Sequence, residues 1–293
     1  MFEDLIKQLE ESGDYRVIKR FTPVDRYHAE GGSKLKQAVY LDVETTGLDA
    51  DSDKVIELAM VPFEFDSEGN IYRLLPEYNG FQDPGRPIPE NISRITGITD
   101  EMVAGQSIDL DRVKEILSST VLVIAHNARF DRPFMEHLYD GFQDLWWACS
   151  MADINWSEEG IESSKLEYLA YKYGFFYEGH RATIDCQAGL HILSQALPTS
   201  KKPALKTLLE SARRTDVRLW AVNAPFDMKD ELKKRGYRWS PGDDGGYKAW
   251  YIDIAETDLE EEQAYLQKDI FKKPLGNLPM KKINAQLRYS KRL

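Results

Sequence analysis

Three runs of strand character follow one another with only turns between them: AVYLDVET at 38–45, KVIELAMVPFEF at 54–65 and IYRLLPEYN at 71–79. Sequential strands linked by turn residues such as DSEGN at 66–70 predict a meander, and no later part of the chain repeats that pattern. From residue 90 the periodicity changes. ENISRITGITDEMVAG and DLDRVKEIL have helical spacing, TVLVIAHN at 120–127 is a short apolar strand, and ARFDRPFMEHLY is helical with Phe130, Phe134 and Leu138 four apart. LWWACSMADI at 145–154 predicts a fifth strand, and SKLEYLAYKYGF and TIDCQAGLHILSQAL predict closing helices. Strands in succession, then strands alternating with helices, predict an α/β domain: a mixed five-stranded sheet flanked by helices.

A second, small α+β unit is expected after PTSKKP. PALKTLLESARR reads as a connecting helix, VRLWAVNA as a strand, and MKDELKKRG as a helix with basic residues in its last turn. YRWSPG, the turn DDGG at 243–246 and KAWYIDI read as a hairpin, and DLEEEQAYLQKDIF as a last helix. Phe2, Leu5, Ile6 and Leu9 predict an amphipathic leader helix. The expected organisation is a leader and irregular link at 1–36, a main domain at 37–199, a small module at 200–271 and a basic tail at 272–293.

Charge restricts the function classes. The 293 residues have a formal net charge of −11, which argues against coating nucleic acid by bulk electrostatics. Residues 272–293 carry seven Lys or Arg and no acid, which leaves −18 on the 271 residues before them. Such an excess fits either a solvated acidic surface or clustered carboxylates that hold cations. No apolar run approaches the roughly 20 residues of a membrane span, and the first residues lack a signal-peptide apolar region. Cys149 and Cys186 form no metal-type pair. These features predict a cytoplasmic protein without a membrane partner.

Three segments carry candidate chemistry. In DVET, side-chain alternation puts Asp42 and Glu44 on one face of the strand and Val39, Leu41 and Val43 on the other. Two like charges so close need cations or donors if a helix covers them, or else that face is simply exposed. In AHNARFD, Asn127 is placed to cap a helix with Asp131 in its first turn, an ordinary arrangement by itself. HRATIDCQ, taken alone, reads as a helix start with Thr183 as cap and Asp185 at the positive end. With 3.6 residues per turn, His180 and Asp185 would not share a face if both were helical, so His180 is expected on the preceding loop.

Together these segments resemble the DEDDh family of DnaQ-like 3′–5′ exonucleases. DVETTGLD and ITGITDEMV are similar to the corresponding segments of DNA polymerase III epsilon-type proofreading subunits, and the resemblance runs over about 37–197. It implies a ribonuclease H-like fold and two Mg²⁺ or Mn²⁺ ions held by Asp42, Glu44, Asp131 and Asp185, with Asp42 bridging and His180 as general base. It also implies that Thr45, Thr46 and Leu48 approach the terminal nucleotide, that Ile98 packs near its base, and that His126 and Asn127 touch the phosphate backbone; Leu48 and Ile98 are equally compatible with a core role. Carboxylate oxygen suits hard divalent cations, and a histidine can take a proton near neutrality. The activity implied is hydrolysis at the 3′ end of DNA, single-stranded or frayed, releasing nucleoside 5′-monophosphates. RNA is the alternative substrate, and a proofreading subunit of a DNA polymerase the alternative context.

Other motifs fail: DADSD at 49–53 resembles an EF-hand start, but Lys54 and Met60 stand where the loop needs glycine and glutamate. The segment PFDMKDELKKRGYRW with KAWY resembles a small module of bacterial and plasmid DNA-processing proteins. Its Tyr237, Trp239, Trp250 and Tyr251 lie near Lys233, Lys234, Arg235, Arg238 and Lys248, a composition for stacking on single-stranded bases or for the module's own core. The alternative partner for this unit is a protein.

Overall fold

The computed structural model describes residues 2–29, 34–242 and 246–293. The chain divides into two units, Met1–Ala212 with Tyr289–Lys291, and Arg213–Arg288 with Arg292–Leu293.

The first unit is built on strands β1 (Lys36–Thr45), β2 (Val55–Phe65), β3 (Ile71–Leu74), β4 (Tyr78–Phe81), β5 (Thr120–Ala125) and β6 (Trp147–Cys149). The five-strand path β3-β2-β1-β5-β6 is mixed, with β1–β2 and β2–β3 antiparallel and β1–β5 and β5–β6 parallel. A sixth strand, β4, also pairs antiparallel with β2. It arises because IYRLLPEYN is two strands instead of one: Pro76 has no N–H to give a ladder, and pairing stops at Leu74 and resumes at Tyr78. The expected strand at 145–154 shortens to three residues. There Asp153 accepts the Cys149 N–H at 2.7 Å and the chain turns away.

Alternation along β1 sorts its side chains between two cores. Val39, Leu41 and Val43 join Val113, Ile116 and Phe134 of helices α4 (Leu110–Ser118) and α5 (Ala128–Leu138), numbering from the exposed leader helix α1 (Phe2–Glu11) and the short α2 (Glu90–Thr96) and α3 (Asp100–Val103). Ala38 and Tyr40 face the other way, toward α6 (Leu166–Lys172) and α7 (Ala182–Leu193). Asp42 and Glu44 share the parity of Tyr40 and therefore point to the α7 side. The link before β1 is not wholly irregular: Lys19–Arg20 pairs in parallel with Phe175–Phe176.

The helix α8 (Ala204–Arg213), expected to open the second unit, places Leu205, Leu208 and Leu209 in the first unit's core, so the division falls after residue 212. The second unit is an antiparallel sheet of order β8-β9-β7-β10, from β7 (Asp216–Ala221), β8 (Arg238–Ser240), β9 (Ala249–Ala255) and β10 (Met280–Ile283). Helices α9 (Lys229–Lys234) and α10 (Leu259–Tyr265) go with it, around a core of Leu219, Leu232, Tyr237, Leu266 and Ile270. The basic tail supplies β10. The predicted DDGG turn lies outside the described residues except for Gly246. Among the described residues no helix is long and apolar enough to cross a membrane.

Candidate active site

Carboxylates from β1 and α7 meet at the exit of the sheet. One ligand oxygen from each of Asp42, Glu44 and Asp185 lies within 4.8 Å of the others. Asp131, in the first turn of α5, lines the same cleft of ≈ 250 Å³, and so do His126, Lys165, Glu167 and His180. Asp131 is 1% exposed and its Oδ2 has no hydrogen-bond partner. An ionised oxygen left alone in such a place costs several kcal/mol, so this unpartnered oxygen at the cleft fits a cation-binding role.

The acids resist ionisation. Burial, followed by repulsion from Asp131, Asp185 and Glu44, raises the Asp42 carboxyl well above its ordinary value. Burial raises Asp131 in the same direction. Glu44 is pushed up to about 7 by burial and then by Asp185 and Glu57, with Arg181 opposing. Asp185 is pushed up to about 6 by burial, while Tyr177, the Arg181 backbone and His180 pull it down. Carboxylates crowded closely enough to raise one another's pKa suit hard divalent cations as compensating charge, and Asp42, Glu44 and Asp185 form such a cluster.

The start of α7 departs from the simple cap. Arg181 occupies the N-cap position without a side-chain cap hydrogen bond, and Thr183 sits inside the helix, its Oγ1 accepting from Asn79 Nδ2 at 2.9 Å. Asp185 Oδ2 accepts the Arg181 N–H at 3.1 Å, and Glu57 Oε2 on β2 accepts the Ala182 N–H at 3.4 Å. His180 is exposed on the preceding loop with a left-handed φ of 64°. Glu57 escaped the sequence reading, although one charge inside the apolar run VIELAMV was the available signal.

His126 is held on both sides. Its Nε2 lies 2.8 Å from the Ser164 carbonyl, which only accepts, so Nε2 carries the proton and Nδ1 accepts from Ser150 Oγ at 2.9 Å. Ser150 Oγ is then left to accept from Tyr40 at 2.8 Å. Burial pushes the His126 pKa down to about 4, which keeps the ring neutral. With both nitrogens engaged, a contact to phosphate through His126 needs one of these bonds to break. Asn127 adopts a left-handed φ of 73° at the α5 N-cap and makes no side-chain cap bond, contrary to its expected capping role. The Thr45 hydroxyl donates to Gly47 O at 2.6 Å, and Thr46 Oγ1 accepts from Lys54 N and Arg86 Nη2 at 3.0 and 2.9 Å. Leu48 is 87% exposed, whereas Ile98 is fully buried with Ile56, Ile88 and Val103, which is its core alternative.

In the second unit the aromatics divide. Tyr237 is core, and Trp250 packs partly against it. Tyr251 lies under Arg218 and Arg238, whose guanidinium carbons are 4.4 and 5.0 Å from the ring centre. Trp239 is half exposed, edge-on to Trp250.

A mixed sheet that delivers carboxylates from a central strand and two helix starts to one cleft defines a carboxylate-based hydrolase. The RNase T family model, described as Exonuclease, matches residues 39–193, and the chain belongs to this DnaQ-like exonuclease family. It is 33% identical over 162 residues to the PolC-type DNA polymerase III of Pediococcus pentosaceus, a match covering 53% of this chain and 11% of that protein. With the PolC-type enzyme of Staphylococcus epidermidis the identity is 30% over 206 residues, 65% of this chain and 13% of the relative. The chain thus corresponds to roughly an eighth of these polymerases. Among solved structures, the zinc-bound complex of Escherichia coli exonuclease I with single-stranded DNA has a similar fold, at a TM-score of 0.52 and 16% identity over 75% of this chain and 63% of that one.

Proposed function

We propose that the protein is a divalent-cation-dependent 3′–5′ exonuclease that removes nucleotides from the 3′ end of DNA and releases nucleoside 5′-monophosphates. The observation that carries this reading is the convergence of Asp42, Glu44 and Asp185 within 4.8 Å, beside the buried Asp131. These four residues would hold two Mg²⁺ or Mn²⁺ ions. Bound there, the cations stabilise the attacking and leaving oxygens of a displacement at phosphorus. His180 stands at the cleft on an exposed loop, placed to take the proton of the attacking water. Leu48 and Asn127 are both exposed and are the surface groups offered to the terminal nucleotide and its backbone, while Thr45 and Thr46 are buried. DNA as substrate draws support from the polymerase relatives, which also favour a second reading as a proofreading subunit.

The test is a parallel digestion of 5′-labelled DNA and RNA single strands by wild type and Asp42→Ala, with Mg²⁺ and then with EDTA. A ladder descending from the 3′ end of DNA, present only for wild type with metal, is expected. No ladder from wild type on either polymer overturns the reading, and digestion of RNA alone transfers it to RNA. The second unit is proposed to grip single strands through Trp239: Trp239→Ala is expected to weaken oligonucleotide binding by about fivefold, the scale of one stacking contact. Unchanged affinity would return this unit to the protein-binding alternative.

A further inference from the structure

Glu57 is a carboxylate for which the proposed reaction has no task, yet the fold encloses it completely, at 0% exposure near the start of β2. In the β1–β2 register it stands opposite Glu44, on the face that carries Asp42. A charge enclosed among other acids is tolerated only where donors satisfy it. Three donors do so here: Asn79 Nδ2 at 2.8 Å and Arg181 Nη2 at 3.4 Å on Oε1, and the Ala182 N–H at 3.4 Å on Oε2.

The identity of the donors gives these bonds their meaning. Arg181 joins His180 to α7, Ala182 is the first residue of that helix, and Asn79 reaches on to Thr183. A helix start leaves its first N–H groups without partners, and this one has no side-chain cap from its own N-cap residue. Asp185 accepts the Arg181 N–H from within the turn, and Glu57 supplies from β2 the acceptor for the next one, that of Ala182. Both of its oxygens already accept from donors, which sets it apart from Asp131, whose Oδ2 has no partner, and leaves it a structural rather than a ligand role.

We propose that Glu57 is a positioning residue that clamps the first turn of α7 to β2 and thereby sets where His180 and Asp185 stand relative to Asp42 and Glu44. The catalytic consequence rests on the proposed nuclease function; the clamp itself does not. A strand that already carries Glu57 opposite Glu44 thus holds the fourth acid and the histidine loop in register with the first two. His180 itself turns the chain into the helix with a left-handed φ of 64°, so the place of the first turn sets where its ring stands.

The experiment compares full-length wild type, Glu57→Gln and Asn79→Ala by amide hydrogen exchange, and by kcat and KM on a 5′-labelled oligonucleotide. Asn79 is exposed, so its variant folds even if the Glu57 variant does not. In both, exchange at residues 182–185 is expected to rise by about fivefold, the equivalent of one lost hydrogen bond, while β1 and β5 stay protected. Turnover is expected to fall by about tenfold with KM within about twofold, as for misplaced rather than missing groups. Unchanged exchange at 182–185 in Asn79→Ala, or a rise spread equally over β1 and β5, overturns the clamp. A wild type without nuclease activity would refute the proposed function and leave the exchange result to decide the clamp.

Discussion

The segments His126–Asp131 and His180–Asp185 have the same skeleton, a histidine five residues ahead of an aspartate in the first turn of a helix. The fold treats them in opposite ways. In the first, a core strand ends at the histidine, Asn127 makes the left-handed turn, and both ring nitrogens are bonded. In the second, the histidine itself makes the left-handed turn and its ring is exposed at the cleft. Spacing does not assign a role to a histidine; the element that precedes it does. A strand end gives a locked ring that shapes the wall, and a loop gives an exposed ring at the cleft, as the proposed general base requires.

Replacing each histidine tests this contrast most severely. His180→Ala is expected to lower kcat by a factor of about 10² to 10⁴, the usual size of a lost general base, with thermal unfolding unchanged. His126→Ala is expected to cost about 1–3 kcal/mol in urea unfolding, because Ser150 and Ser164 lose their buried partner. A fully active His180 variant, or a His126 variant as stable as wild type, would erase the distinction.

The pH response of the EDTA-treated protein separates the segments next. Asp185 is raised from 3.8 to about 6 and Glu44 from 4.5 to about 7, so the folded state holds their protons more tightly than the unfolded chain. Their contribution is complete below those unfolded values and is lost as pH rises through about 6 and 7. Thermal scans from acid to neutral pH should therefore show the midpoint falling by roughly 5 °C, and Mg²⁺ should flatten the slope. His126, lowered from 6.5 to about 4, has the opposite sign: its contribution is present above 6.5 and lost as pH falls through about 4. His126→Ala should accordingly steepen the decline across that window, and an unaltered slope would show that the ring is not buried neutral. The smallest effect is expected at the turn itself. Asn127→Gly should change stability by less than about 0.5 kcal/mol, since relief of the left-handed backbone offsets the greater freedom of the unfolded glycine; a larger shift in urea midpoint would give Asn127 a role beyond the turn.

Legibility followed the range of the interactions. Asp42 and Glu44 were assigned to one face because strand alternation is a property of adjacent residues. Asp131 and Asp185 could be placed in first helical turns for the same reason. IYRLLPEYN was read through its apolar content, and the single missing N–H of Pro76 divided it. The amphipathic pattern of α8 announces a buried face without saying which core receives it, and Leu205, Leu208 and Leu209 enter the first. The tail shows only its charge in the sequence, because β10 exists only through its pairing with β7, as between Met280 and Leu219.

The sequence by itself determined the fold class, the order of the main strands and helices of the first unit, the shared face of Asp42 and Glu44, the loop position of His180 and the family. Tertiary structure alone decided which histidine is locked, that Thr183 is not the cap, and that Glu57 accepts the Ala182 N–H. The physical reason is distance along the chain. Burial and hydrogen bonding are set by groups that local patterns do not contain: His126 depends on Ser150 and Ser164, 24 and 38 residues away, and the first turn of α7 depends on a carboxylate 125 residues before it.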